Sequence, residues 1–95
     1  MDVRAGSFIW DARKDWINLH KHRVSFHLAC LAFQDPHRVI LDDSKHSAEE
    51  DRFFCIGKVG KRILTVRFMR SGNDIRIIGA GEWRKWRRFY EKEKT

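Results

Sequence analysis

Hydrophobic and polar positions alternate most regularly between residues 52 and 80, RFFCIGKVGKRILTVRFMRSGNDIRIIGA. Phe53 to Val59, Ile63 to Arg70 and Ile75 to Ala80 are rich in β-branched and aromatic side chains, the composition of strands. Gly60-Lys61 and Ser71-Gly72-Asn73-Asp74 separate them as turn signals, so the stretch predicts a three-stranded antiparallel meander. Pairing Val59 with Arg62, and Arg70 with Ile75, sets the two faces, because successive strand side chains point to opposite sides. One face carries Phe53, Cys55, Val59, Leu64, Val66, Phe68, Ile75 and Ile77; it has no charge and needs a cover. The other carries Arg52, Phe54, Ile56, Thr65, Arg67, Met69, Arg76 and Ile78. In this register Met69 lies between Arg52 and Arg76, and Arg67 is diagonal to both, about 7–8 Å away. No acid on these strands neutralises the three guanidiniums. A one-residue slip in either hairpin would reverse the faces.

The remaining periodicity is helical. Phe8-Ile9-Trp10 predicts a short edge strand, and Asp11 after it suits a helix N-cap. That helix runs to about His22, with Ala12, Trp16 and Leu19 as the inward stripe and Arg13, Lys14, Asp15 and Lys21 facing water. Ser25 starts a second helix, stapled by Val24 and Ala29, whose core face is Phe26, Ala29, Cys30 and Phe33. Asp35-Pro36 ends it. Arg38 to Leu41 reads as a strand and 42–51, DDSKHSAEED, as a polar loop leading into Arg52. Gly81 breaks the last strand, and Glu82 to Lys94 forms a final helix with Trp83, Trp86, Phe89 and Tyr90 on one side. The fold class is therefore α+β: two N-terminal helices on a mainly antiparallel sheet, the meander plus one or two edge strands, with a C-terminal helix.

Composition adds a partner to this picture. The 95 residues suit a single domain, 1–95, with one modest core. A net charge of +7 points to an anionic partner, nucleic acid or an acidic protein, the plain alternative being a basic surface that serves solubility. No apolar run approaches the ~20 residues of a membrane span. MDVRAGSF lacks the shape of a signal peptide, so no membrane partner is expected and a cytoplasmic setting is the default. Cys30 and Cys55 show no CxxC spacing, in keeping with a reduced compartment.

The candidate chemistry is cationic. The histidines and cysteines lack zinc-type spacing, and His20 and His22 point in different directions on a helix, so no metal or other cofactor is expected. Arginines beside acid–base groups are the kit of metal-free RNA cleavage. A base takes the 2′-hydroxyl proton, the oxygen attacks the adjacent phosphate, guanidiniums stabilise the dianionic transition state, and an acid protonates the leaving oxygen. His46 or Glu50 can serve as base, with the other, or Tyr90, assisting; residues of this kind in a polar loop are more often simply solvated, and Glu50 also reads as a simple ion-pair partner of Arg52. Trp83 and Trp86 read as core rather than as stacking platforms for bases.

The chain resembles the BrnT-like toxins of type II toxin–antitoxin systems. The resemblance lies in Phe8-x-Trp10-Asp11 with Lys14 and Asn18, Lys21-His22 with Ser25-Phe26, Ala29, Phe33-x-Asp35-Pro36 and Asp43-x-x-His46. It continues through Glu50-x-Arg52, Gly57, Ile75-Arg76-Ile77-Ile78-Gly79-Ala80 and Tyr90, roughly residues 8 to 91. It implies a small ribonuclease toxin with a RelE-like fold, neutralised by a cognate BrnA-like antitoxin, with DNA met only through the antitoxin complex. Lys14, His22, His46, Glu50, Arg52 and Arg76 are the polar positions it marks. Two positions depart from the pattern. Arg23 stands where many members have Gly, and Gly79-Ala80-Gly81 stands where many have Ser-Ala-Arg, leaving Arg84 as the nearest replacement for the missing arginine.

The expectation is a metal-independent endoribonuclease that inhibits translation and growth. Arg52, Arg67 and Arg76 would hold phosphate, His46 and Glu50 would move protons, and Lys14, His22, Arg84, Lys85, Arg87 and Arg88 would bind RNA. The alternative is a degenerate toxin-like module that binds antitoxin or nucleic acid without cutting.

Overall fold

The computed structural model describes residues 1–43 and 51–94. Six strands, β1 (Asp2–Ala5), β2 (Phe8–Asp11), β3 (Val39–Asp42), β4 (Arg52–Val59), β5 (Arg62–Ser71) and β6 (Asp74–Gly81), form one sheet in the order β1-β2-β6-β5-β4-β3. Every pairing is antiparallel except β2 with β6. Helices α1 (Ala12–His22), α2 (Phe26–Leu31) and α3 (Arg84–Lys94) and a 3-10 turn at Ala32–Gln34 complete an α+β chain. No helix among the described residues is long and apolar enough to cross a membrane.

The meander has the register that alternation predicts: Val59 opposes Arg62 and Arg70 opposes Ile75. All eight residues of the uncharged face enter one apolar cluster with Trp10, Val24, Phe26, Ala29 and Ala32. Alternation does not reveal a bulge in β6. Arg67 opposes Gly79 while Phe68 opposes Ile77, so Ile78 has no partner and the strand shifts phase. Beyond that point Ala80, not Gly79, faces the core.

The edge also differs from expectation. β2 is not an edge strand, because Asp2–Ala5 pairs outside it, Val3 opposite Trp10. This strand carries two charges in four residues and gives almost no hydropathy signal. Arg4 donates to both Asp74 carboxylate oxygens at 3.0 Å and so ties β1 to the start of β6.

Helix α1 is capped as predicted, Asp11 accepting from the Arg13 and Lys14 N–H groups at 2.8 and 3.3 Å. Its inward face is the reverse of the one expected. Ala12 is exposed, and so are Trp16 (63%) and Leu19 (42%), whereas Asn18 is buried. Asp11, Asp15, Asn18 and His22 also recur at helical spacing, and this polar stripe binds by hydrogen bonds. Asp15 accepts from Phe26 N–H at 2.8 Å. Asn18 Nδ2 donates to the carbonyls of Val24 and Ala80, and its Oδ1 accepts from Ala80 N–H at 3.1 Å. β2 pairs with β6 only at Ile75 and Arg76, so Asn18 supplies partners to a strand edge that no strand reaches. The helix ends at Arg23, which adopts a left-handed φ of 60°, at a cost of about 1 kcal/mol relative to glycine.

Ser25 caps α2, its Oγ accepting from Leu28 N–H at 3.1 Å. The following turn lies directly on β4, where a Cβ at Gly57 would sit 2.3 Å from the Ala32 carbonyl oxygen. Helix α3 begins at Arg84, two residues later than the pattern indicates. Trp86, Phe89 and Tyr90 pack with Ile56, Ile63 and Leu41. The Phe54 and Trp86 rings lie 5.4 Å apart, which places α3 on the sheet face that carries the arginines.

Candidate functional site

The β4–β5–β6 register sets Arg52, Met69 and Arg76 abreast. Arg67 opposes Phe54 and Gly79 one step along the same face. The three guanidiniums thus share one side of the sheet, and acids from neighbouring elements reach Arg76 and Arg67. Arg76 donates through Nη1 and Nη2 to the Asp2 carboxylate at 3.2 and 2.7 Å. Arg67 Nη2 lies 3.8 Å from buried Asp43, the residue after β3. The expectation of three un-neutralised arginines is therefore overturned: Asp2 of β1 pairs with Arg76, and Asp43 lies beside Arg67. Asp2 lies on β1, a strand that hydropathy does not reveal, and its carboxyl is held below the usual range by the Arg76 hydrogen bonds, which raise Arg76 in turn. The Arg76–Asp2 pair is open to solvent, with side-chain exposures of 30% and 57%. Such an exposed pair is weak, so an incoming phosphate can displace the carboxylate.

Two clefts flank this row and share Lys14 and Ile78. The first, about 240 Å³, is lined by Asp11, Lys14, Arg52, Met69, Arg76, Ile77 and Ile78. The second, about 280 Å³, is lined by Lys14, Ile17, Asn18, Lys21, His22, Arg67, Ile78, Gly79, Ala80 and Trp83. Lys14, Ile17 and Lys21 fall on one flank of α1, so the helix forms the wall of the second cleft. The bulge puts Ile78 at the boundary between the two. Together they make a cationic trough that suits an anionic strand rather than an isolated ion.

Trp83 is the residue that hydropathy misplaced. It is 40% exposed and absent from the α3 cluster that takes Trp86, Phe89 and Tyr90. Its indole lies over Gly81, where a Cβ would meet the ring at 2.6 Å, and its centroid is 5.3 Å from the His22 ring. Any side chain at Gly81 would collide with this indole. A small residue two before a tryptophan was the available signal.

Of the other predicted residues, Lys14 and His22 line the clefts. His46 and Glu50 lie outside the described residues. The flanking chain leaves and re-enters beside the arginines, since Asp43 N–H donates to the Arg52 carbonyl at 2.9 Å. Arg84, Lys85, Arg87 and Arg88 are all exposed on α3, away from both clefts. Arg87 lies 3.8 Å from Glu91, and Lys85 Nζ sits 4.9 Å from the centre of the Trp86 ring. Tyr90 is unsuited to proton transfer: it is buried and donates to Asp35 on the far side of β4. Asp35 also accepts from Lys58 N–H at 2.7 Å and His37 N–H at 2.9 Å. Cys30 and Cys55 are free, and burial pushes their thiols up to about 11 and about 12. Among the described residues, no group of three or more His, Cys, Asp or Glu side chains could hold a metal ion.

Comparison with known proteins agrees with the ordered motifs. Curated proteins gave no match to the chain. Residues 10–86 match the family model described as the ribonuclease toxin BrnT of type II toxin–antitoxin systems. That span runs from the core residue Trp10 through the whole meander to Trp86 and takes in both clefts, and the chain accordingly belongs to the BrnT family of ribonuclease toxins.

Proposed function

We propose that this chain is a metal-independent endoribonuclease that cuts RNA by attack of a 2′-hydroxyl on the neighbouring phosphate, and so inhibits translation and growth. The observation that carries this reading is the register that sets Arg52 and Arg76 on either side of Met69, with Arg67 on the same face and Lys14 opposite. A phosphate in the first cleft meets two arginine forks and an ammonium, donors that bind the dianionic transition state more tightly than the monoanionic diester. His46 and Glu50 are the proton-transfer pair, one serving as base and the other assisting, and Glu50 is two residues from Arg52 in the chain. A BrnA-like antitoxin neutralises the toxin. The exposed Trp16, Ile17 and Leu19 of α1, set among Arg13 and Lys21, suit an acidic amphipathic segment of that partner. Ile17 and Lys21 also line the second cleft, so a segment seated there would cover the RNA path.

The test is cleavage of RNA by the purified chain in EDTA. Arg76→Ala should lower kcat by about 10²-fold or more, the scale of losing one transition-state donor. Intact RNA after incubation with the parent chain, together with normal growth on expression, would remove the reading. Binding without cleavage would instead establish a degenerate module, the reading that Gly81 in place of an arginine favours.

A further inference from the structure

We infer that the second cleft is a nucleobase subsite, in which an unpaired base of the RNA stacks on Trp83 while its backbone runs to the arginines of the first cleft. This rests on the ribonuclease reading and adds the part of the substrate that the reading leaves unassigned. The two clefts differ in composition in a way that divides a nucleotide. The first has guanidiniums and an ammonium but no aromatic ring. The second combines an indole, an imidazole and the apolar Ile17 and Ile78 with a cationic rim of Lys14, Lys21 and Arg67. An aromatic face beside cations is the chemistry by which proteins hold single-stranded RNA, the base on the ring and the phosphate on the charges.

The indole is held ready for this role. Gly81 leaves its underside free of a Cβ, and the Trp83 carbonyl accepts from Arg87 N–H at 3.0 Å and from Trp86 N–H at 3.1 Å, anchoring the residue to the first turn of α3. Asn18, on the cleft wall, spends its amide on Val24 and Ala80 and does not compete for the base. Of the hydrogen-bonding side chains left in the cleft, Lys14, Lys21 and Arg67 only donate and His22 can donate or accept, so donors outnumber acceptors and the cleft favours a base edge that offers acceptors.

The experiment uses the full chain and short single-stranded RNAs carrying one 2′-deoxy residue at the mapped cut site, which blocks cleavage. Moving a single abasic position along the strand should weaken binding by about tenfold at one position near the cut and little elsewhere. Trp83→Leu should weaken the intact strand by a similar factor, abolish the abasic effect and raise KM with kcat little changed. Trp83→Phe should restore most of the loss. A parent chain that cleaves RNA but shows no abasic-sensitive position, or a Trp83→Leu enzyme with unchanged KM and cut sites, would overturn the inference and leave the ribonuclease reading standing. A parent chain that neither binds nor cuts RNA would overturn both. If Trp83→Leu fails to fold, the abasic scan on the parent and on Trp83→Phe decides alone.

Discussion

Asp35 shows how one side chain can join elements far apart in sequence. Its carboxylate receives the Tyr90 hydroxyl from α3, the Lys58 amide from β4 and the His37 amide from the turn before β3. Burial on its own would raise this carboxyl, but those three hydrogen bonds, with help from the nearby His37, bring it below the usual carboxylate range. Burial and the Asp35 charge push the Tyr90 phenol from 10.0 up to about 12. The two shifts act at opposite ends of the pH scale. A depressed carboxyl contributes stability above its unfolded value, near 4, and loses it as acid protonates the folded group. A raised phenol contributes below its unfolded value and loses that contribution as pH climbs from 10.0 through about 12. Tyr90→Phe should therefore cost about 1.5–3 kcal/mol at neutral pH, the range for a hydrogen bond to a charged group. In urea titrations the gap from the parent chain should close between pH 10 and about 12. A gap that stays constant to the alkaline limit would show that the pair is not what links α3 to β4.

Helix α1 marks the limit of what hydropathy reveals at the scale of an element. Its start, cap and length follow from the sequence, and so do the meander's register and its uncharged face, because both depend on local chemistry and a period of two. Which face of α1 turns inward does not. Ala12-Trp16-Leu19 and Asp11-Asp15-Asn18-His22 have the same helical spacing, and the choice depends on a bare edge of β6 that needs hydrogen bonds. The bulge at Ile78 and the charged strand β1 escape for a similar reason: neither leaves an apolar signal, yet one separates the clefts and the other brings Asp2 to Arg76. The inversion predicts stabilities opposite to those a hydropathy plot implies. Trp16→Gln with Leu19→Gln should change the unfolding free energy by less than about 0.5 kcal/mol per site. Asn18→Ala should cost about 2–4 kcal/mol, since it orphans the Ala80 N–H and two carbonyls. The double variant should still cut RNA but resist its antitoxin; large destabilisation would refute the outward reading of that face, and unaltered neutralisation would refute its role in docking the antitoxin.

Across the whole molecule, charge is arranged along a path. The sheet face with Arg52, Arg67 and Arg76 also seats α3, whose Arg84, Lys85, Arg87 and Arg88 are exposed, while Lys14 and Lys21 border the face from α1. These cations border the sheet face that holds the clefts. The two groups of cations should do separable work. On the proposed function those in the clefts would meet the phosphate that reacts, whereas those on α3 would meet phosphates further along and contribute affinity without chemistry. Arg84 and Arg88 are the clearest pair for a test, because Arg87 lies near Glu91 and Lys85 leans over Trp86. Each phosphate contact on a single strand makes log K fall with log salt by about 0.7. Arg84→Ala with Arg88→Ala should therefore make the slope shallower by about 1.4 and weaken binding evenly across RNA sequences, with kcat at saturation unchanged. Arg76→Ala should do the reverse, lowering kcat steeply while moving the slope by no more than one contact. If removing the α3 arginines leaves the salt slope where it was, the strand does not cross that helix, and the path runs instead along α1.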